Sequence, residues 1–224
     1  MRAAVPLAAA PLAAAVAWTA PALAPVLPAV AAALRVPLRD DDRADVQLTF
    51  DDGPHPEGTP AVLDRLDRPA TFFLVGEQVA KDPGLAREIA DRGHAIGIHG
   101  YRHRNLLRIG PRALAGDLDR AHDVIATATG RPTSLYRPPY GILSLAAVLE
   151  LRRRGWHPLL WSRWGRDWTR RATPASVADL ALSDIGPGDV ILLHDADHYS
   201  APGSWRATAG ALDLILPRLR DAGL

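Results

Sequence analysis

Val46-Gln47-Leu48-Thr49-Phe50-Asp51-Asp52-Gly53 reads as a short apolar strand that runs into two adjacent carboxylates and a glycine. Apolar runs of this length, stopped by Asp and Gly, are strands with a marked end. The pattern returns at Ala70 to Val75, Ala95 to His99, Ser134 to Arg137, His157 to Trp161 and Asp189 to His194. Helical patterns lie between these runs. Glu77 to Arg92 carries apolar positions at Val79, Leu85, Ile89 and Ala90. Pro111 to Thr129 opens on a proline, sets Leu114, Leu118, Ala121 and Ile125 on one face and stops at Gly130. Ser144 to Arg154 starts on an N-cap residue and closes at Gly155, and Pro174 to Leu182 follows Thr173 in the same way. Short strands alternating with helices predict an α/β fold whose strands are mostly parallel.

The chain has 224 residues, 48% of them hydrophobic, which suits one domain with a sizeable core. Its formal charge is +1, with 26 basic and 25 acidic residues, so it has no field to collect DNA or RNA, and a nucleic-acid partner is not expected. The absence of cysteine excludes thiolate catalysis, Cys-ligated zinc and disulfides. Residues 1–44 form an Ala/Pro-rich segment and a charged linker, Arg39-Asp40-Asp41-Asp42-Arg43, ahead of a domain expected over 45–224. The uncharged run from Ala3 to Leu34 holds Pro6, Pro11, Pro21, Pro25 and Pro28, which makes it a poor spanning helix. Two readings stand: an export signal or membrane anchor beginning at Arg2, with residues 3–34 meeting the membrane, or an apolar segment that packs on the domain or stays flexible. Composition fixes neither compartment nor oligomeric state.

Chemistry gathers where strands end. Asp51 and Asp52 close the first strand, and His99 and His103, in His99-Gly100-Tyr101-Arg102-His103, follow another. Arg137-Pro138-Pro139-Tyr140-Gly141 and Leu192-Leu193-His194 end two more, and Asp167-Trp168 lies in a loop just past a fifth. In barrels and open α/β sheets that edge is where sites assemble. Two imidazoles four residues apart can share a metal if the segment turns, and two His with one Asp leave a position for water on a zinc-like ion. Adjacent carboxylates on extended backbone point to opposite sides, so one can ligate while the other faces an attacking water as general base. His55 and His198 sit in loops that could face a substrate, and Trp164, Trp168 and Trp205 could form an apolar platform for a sugar ring.

With these five motifs in order, the chain resembles the polysaccharide deacetylase family, also called carbohydrate esterase family four, from about Val46 to His194. The resemblance implies a distorted (β/α) barrel of about six or seven parallel strands. It implies one divalent metal, zinc first, with cobalt or nickel also compatible, and removal of acetyl groups from N-acetylated sugars. Asp52, His99 and His103 match the family's metal ligands and Asp51 its catalytic base. Arg137 matches the arginine that holds this base. Asp167 matches the carboxylate that tunes His194, which matches the general acid. Tyr140 matches the position whose backbone N–H binds the oxyanion, and Leu192 the wall of the acetyl pocket. In such a site the ion polarises the amide carbonyl and lowers the pKa of its water towards roughly 7. Acetylated carbohydrate is the expected partner.

Gly100 stands where the family has a small hydroxyl residue and Arg104 where it has proline, changes that would loosen the turn between the histidines. Trp164 stands near the place of a family aspartate. A further short strand is expected after the last helix, and the chain reads to Ala222-Gly223-Leu224 without one; the N-terminal segment is a candidate to fill that gap.

Overall fold

The structure is a computed structural model that describes residues 9–224; Arg2, Pro6 and the start of the segment with the export-signal, anchor and packing readings lie outside them. Among the described residues seven strands form one sheet: β1 (Gln47–Asp51), β2 (Thr71–Leu74), β3 (Ala95–Ile98), β4 (Leu135–Tyr136), β5 (His157–Pro158), β6 (Arg163–Trp164) and β7 (Val190–His194). Every pairing is parallel, in the order β5-β4-β3-β2-β1-β7-β6. The edge strands β5 and β6 are consecutive in the chain. A flat seven-strand sheet would hold its edges about 29 Å apart. Five Cα steps, from Pro158 to Arg163, reach at most about 18 Å. The sheet must therefore curl, and residues 159–162 cross the seam that remains. This is the expected distorted barrel.

Helices wrap the outside: α1 (Ala9–Thr19), α2 (Pro28–Leu34), α3 (Gly58–Leu63), α4 (Gly76–Lys81), α5 (Pro83–Asp91), α6 (Pro111–Thr129), α7 (Leu145–Arg154), α8 (Pro174–Ala181) and α9 (Trp205–Asp221). Their starts follow local chemistry. Ser144 Oγ accepts from Ala147 N–H at 3.2 Å, and Thr173 and Ser176 form a capping box. The single helix expected over Glu77 to Arg92 is two, because Pro83 cannot donate to the ladder and Asp82 instead caps Leu85 N–H at 3.0 Å. The strand expected over His157 to Trp161 is only two residues long, and Trp161 lies on the seam.

Register assigns side chains to the two faces. Phe50 pairs with Phe72, and their rings stack at 5.0 Å. On the other face Asp51 is level with Phe73 and His194, and Thr49 with Leu192. Gly97 sits beside Phe73, where an added Cβ would fall 2.4 Å from the ring, so the barrel interior at this level is already full.

The N-terminal segment packs on the domain through Pro21, Ala24, Ala31 and Val36, all buried. Trp18 Nε1 donates to Leu107 O at 3.4 Å. Further on, Pro37 O accepts from Leu160 N–H at 3.0 Å and Arg39 bridges Asp189 antiparallel, so this stretch runs along the seam.

Candidate active site

Thirteen residues line a cavity of about 370 Å³ at the C-terminal ends of the strands. Among them are Asp51, Asp52, His99, His103, Tyr140, Trp168, Leu192 and His194. Arg137 and Asp167 lie just behind that wall, both fully buried.

Asp52 is the first departure from expectation. Its φ of +78° takes it off the extended path, so the two neighbouring carboxylates do not diverge but open on the same cavity. His99 Nε2 is 3.5 Å from Asp52 Oδ1 and 3.8 Å from Asp51 Oδ2; His103 Nε2 is 3.3 Å from Asp52 Oδ1. One ligand atom from each of Asp52, His99 and His103 falls within 4.8 Å of the others. The segment between the histidines is a bend rather than a helical turn. It is pinned, not loose. Gly100 adopts φ +84°, Tyr101 N–H donates to Asp117 Oδ2 at 2.8 Å, and the first N–H groups of α4 donate to Gly100 O and Tyr101 O at 2.9 and 2.8 Å.

The donor set fits a divalent cation. Asp52 Oδ1 is buried without a hydrogen-bond partner, an acceptor whose burial is costly unless something cationic meets it. His99 Nδ1 lies 2.8 Å from Arg137 O. A carbonyl only accepts, so Nδ1 carries the proton and Nε2 presents its lone pair towards Asp52. Burial lowers both His99 and His103 to about 3, which keeps them neutral, as ligands must be. Burial also raises Asp52 to about 7, an effect that a cation would oppose.

Behind Asp51, the Arg137 guanidinium makes four bonds: to Asp51 Oδ1 at 2.8 Å, Thr49 Oγ1 at 2.7 Å, Leu159 O at 2.9 Å and Leu160 O at 2.7 Å. It lies 4.0 Å over the Phe73 ring. Burial pushes the Asp51 carboxyl up, and Arg137 pulls it back. Across the cavity His194 Nδ1 meets Asp167 Oδ1 at 2.9 Å. Asp167 Oδ2 accepts from His194 N–H at 2.6 Å and Thr208 Oγ1 at 2.7 Å. Burial disfavours the His194 imidazolium, but Asp167, with Asp52 and Asp51, outweighs it and lifts the group to about 10. His194 is thus a protonated donor near neutral pH, facing a cluster of acceptors.

Tyr140, on the 3-10 turn Pro139–Gly141, has φ 60° and ψ 6° and sets its ring edge-on to that of His103, with centroids 4.3 Å apart. Leu192 and Trp168 line the cavity, with Trp164 packed edge-on to Trp168 at 5.6 Å. Trp205 does not join them. It packs at Gly58 and His55, and the third wall tryptophan is Trp161. His55 and His198 are also not among the lining residues. His55 Nδ1 accepts from Gly58 N–H at 2.9 Å, and His198 Nε2 lies 3.1 Å from Pro54 O.

Sequence reasoning missed three supports. Tyr199 stacks on His103 at 4.3 Å and 10°, its hydroxyl donating to Glu77 Oε1 at 2.9 Å. Asp195, fully buried, accepts from Thr59 Oγ1, which in turn accepts from His55 N–H at 2.7 Å. These bonds tie the turn after β1 to the end of β7, where a Cβ on Gly53 would lie 2.4 Å from Asp195. Asp117 is the third. Only Asp195 had a sequence signal, as the acid directly after Leu192-Leu193-His194.

The chain is similar to known proteins in sequence and in fold. The family model for polysaccharide deacetylase matches residues 39–158. A peptidoglycan-N-acetylglucosamine deacetylase of Bacillus cereus is 33% identical over 186 residues, covering 81% of this chain and 66% of the relative. A chitooligosaccharide deacetylase of Sinorhizobium fredii is 34% identical over 197 residues, covering 84% and 91%. The crystal structure of the Bc1960 peptidoglycan N-acetylglucosamine deacetylase superposes with a TM-score of 0.76 at 31% identity, covering 83% of this chain and 86% of that one.

Proposed function

The chain belongs to the polysaccharide deacetylase family, and from that premise we propose that it is a metal-dependent hydrolase that removes N-acetyl groups from an acetamido sugar in a polysaccharide, oligosaccharide or glycoconjugate. The observation that carries this reading is one small cavity lined both by a cluster of acceptors, Asp51, Asp52, His99 and His103, and by His194 of the Asp167–His194 pair.

Asp52, His99 and His103 would hold the ion, zinc or a similar divalent cation. When bound, it supplies Lewis-acid polarisation of the amide carbonyl and a more acidic water. Asp51, aimed by Arg137, takes the proton of the attacking water. The amide nitrogen is a poor leaving group until protonated, and His194 Nε2, with Nδ1 held by Asp167, delivers that proton. Such acid–base assistance is worth about 10²- to 10⁴-fold in rate. The Tyr140 backbone N–H supports the oxyanion, a contact whose loss costs on the order of 10²-fold. Leu192 bounds the acetyl methyl, and the Trp161, Trp164 and Trp168 rings offer apolar faces to a sugar.

The test is acetate release from chitotetraose, peptidoglycan fragments and simple acetamides by protein loaded with zinc, cobalt or nickel. Release from the saccharides, and none after chelation, is expected. A metal-loaded protein that frees no acetate from any of them, yet binds glycan, would leave a silent binding protein in place of the hydrolase.

A further inference from the structure

No charged side chain occurs between Arg2 and Arg35, and five of the eight large apolar side chains that stand exposed among the described residues fall in that stretch: Leu12, Val16, Leu23, Val26 and Leu27. Every residue from Pro11 to Ala17 is exposed, while Pro21, Ala24 and Ala31 are buried on the domain. The segment is a hairpin fastened along its inner side and bare on its outer side. Among the described residues no single helix is long and apolar enough to cross a membrane; Pro11–Leu23 and Pro28–Leu34 pass that test only together, bent by 106°. Helix α1, at 1.5 Å per residue, reaches about 16 Å, about half a hydrocarbon core.

The bend lies at the mouth of the cavity. A Cβ placed on Gly141 would come 3.0 Å from Pro25 Cγ and 2.5 Å from the Trp161 ring, so the tip of the hairpin packs against the turn that carries Tyr140. Tyr140 is itself 56% exposed. Arginines border the segment. Arg35 ends α2, while Arg108 and Arg112 flank the site where Trp18 hydrogen-bonds Leu107, and all three are exposed with no carboxylate within 4.0 Å among the described residues. A two-fold partner would add its own three arginines to this face and bring no matching carboxylate to meet them. Anionic headgroups would neutralise them, and a half-buried tryptophan with a polar contact suits the same interface.

We propose that residues 11–35 form an in-plane dock that lies in one leaflet of a lipid bilayer and holds the mouth of the cavity at the membrane surface, so that the substrate class is an acetamido glycan carried on or against the membrane. The second clause rests on the deacetylase reading; the first does not. An apolar outer side that neither water nor the domain satisfies gains by entering the acyl boundary, and the fastened inner side fixes which way the cavity faces.

The test uses the full chain and vesicles of roughly three parts phosphatidylcholine to one part phosphatidylglycerol. Flotation with the vesicles is expected, and Leu12→Glu with Val16→Glu, both at exposed positions, should cut the floated fraction by about tenfold or more. Chitotetraose anchored to lipid in those vesicles should lose acetate about tenfold faster than free chitotetraose, and the double variant should lose that advantage while treating free chitotetraose as before. A wild-type protein that stays in the aqueous layer, or that dimerises through the hairpin without lipid, overturns the dock. Flotation without any preference for anchored substrate overturns the placement of the cavity. Failure on free chitotetraose sinks the deacetylase reading instead and leaves flotation to decide the dock.

Discussion

Replacing Asp167 with Asn tests the acid side of the site with little change of shape. Asp167 accepts three bonds, from His194 Nδ1–H, His194 N–H and Thr208 Oγ1. An amide can accept only on its oxygen, so either the backbone bond or the Nδ1 bond is lost. In the native protein His194 is lifted from 6.5 to about 10, with burial opposing and Asp167 the largest contribution in favour. Without that charge burial is opposed only by Asp52 and Asp51, so the imidazole falls back towards its ordinary value, and in the limit that the whole lift is lost the imidazolium forfeits about 5 kcal/mol of preference. At pH 8 the protonated share then falls from nearly all to about 3%, and kcat falls about 30-fold before any misorientation is counted. The falling, alkaline limb of the kcat–pH profile should move down by three pH units or so. Stability moves in the same sense. A group raised in the folded state stabilises fully below 6.5 and loses that contribution as pH rises through about 10, so the variant should be destabilised most below pH 6.5. The assay is acetate release from chitotetraose across pH 6–10 at saturating metal, with metal content measured in parallel, since Asp167 is not in the Asp52–His99–His103 cluster. An alkaline limb that stays in place, with kcat within about threefold, would refute the role given to this pair.

Asp51→Asn should retain metal and lose turnover by at least about 10²-fold, whereas His99→Ala should lose the metal itself, and equal metal loss in both would overturn the division between them. Arg137→Met should cost about 3–5 kcal/mol in urea unfolding, because a buried carboxylate and two carbonyls are left without their donor; an unchanged midpoint would contradict the structure. At pH 6, where a bound water is still mostly protonated, uptake of zinc should release about one proton, since Asp52 titrates near 7 without a cation while His99 and His103, at about 3, are already neutral. Calorimetry at pH 6 in buffers of different ionisation enthalpy reads this directly, and the absence of release there would count against Asp52 as the carboxylate ligand.

Much of this site is legible in one sequence because strand ends announce themselves. Asp51, His99, Arg137 and His194 each follow an apolar run, and parallel strands deliver such ends to one rim. What escaped is set by longer-range contacts. Strand β6 is two residues, too short to carry a period, and is a strand only because β7 lies beside it. Pro83 suits a first helical turn as well as a break, and Asp82, as its cap, decides between them. The left-handed backbone of Asp52 contradicts its local preference, and such departures gather at functional sites. Tyr199, Asp117 and Thr208 lie far along the chain from the groups they hold, at positions with no local pattern.

Arg137 grips Leu159 O and Leu160 O on the crossing segment with the same guanidinium that grips Asp51. Wall integrity and reactivity therefore share one joint. Fraying of that short crossing would release the arginine from its carbonyl anchors and let the carboxylate drift while the rest of the core stayed intact. On warming, turnover should consequently fade ahead of cooperative melting, in step with deuterium uptake at the Leu159 and Leu160 amides.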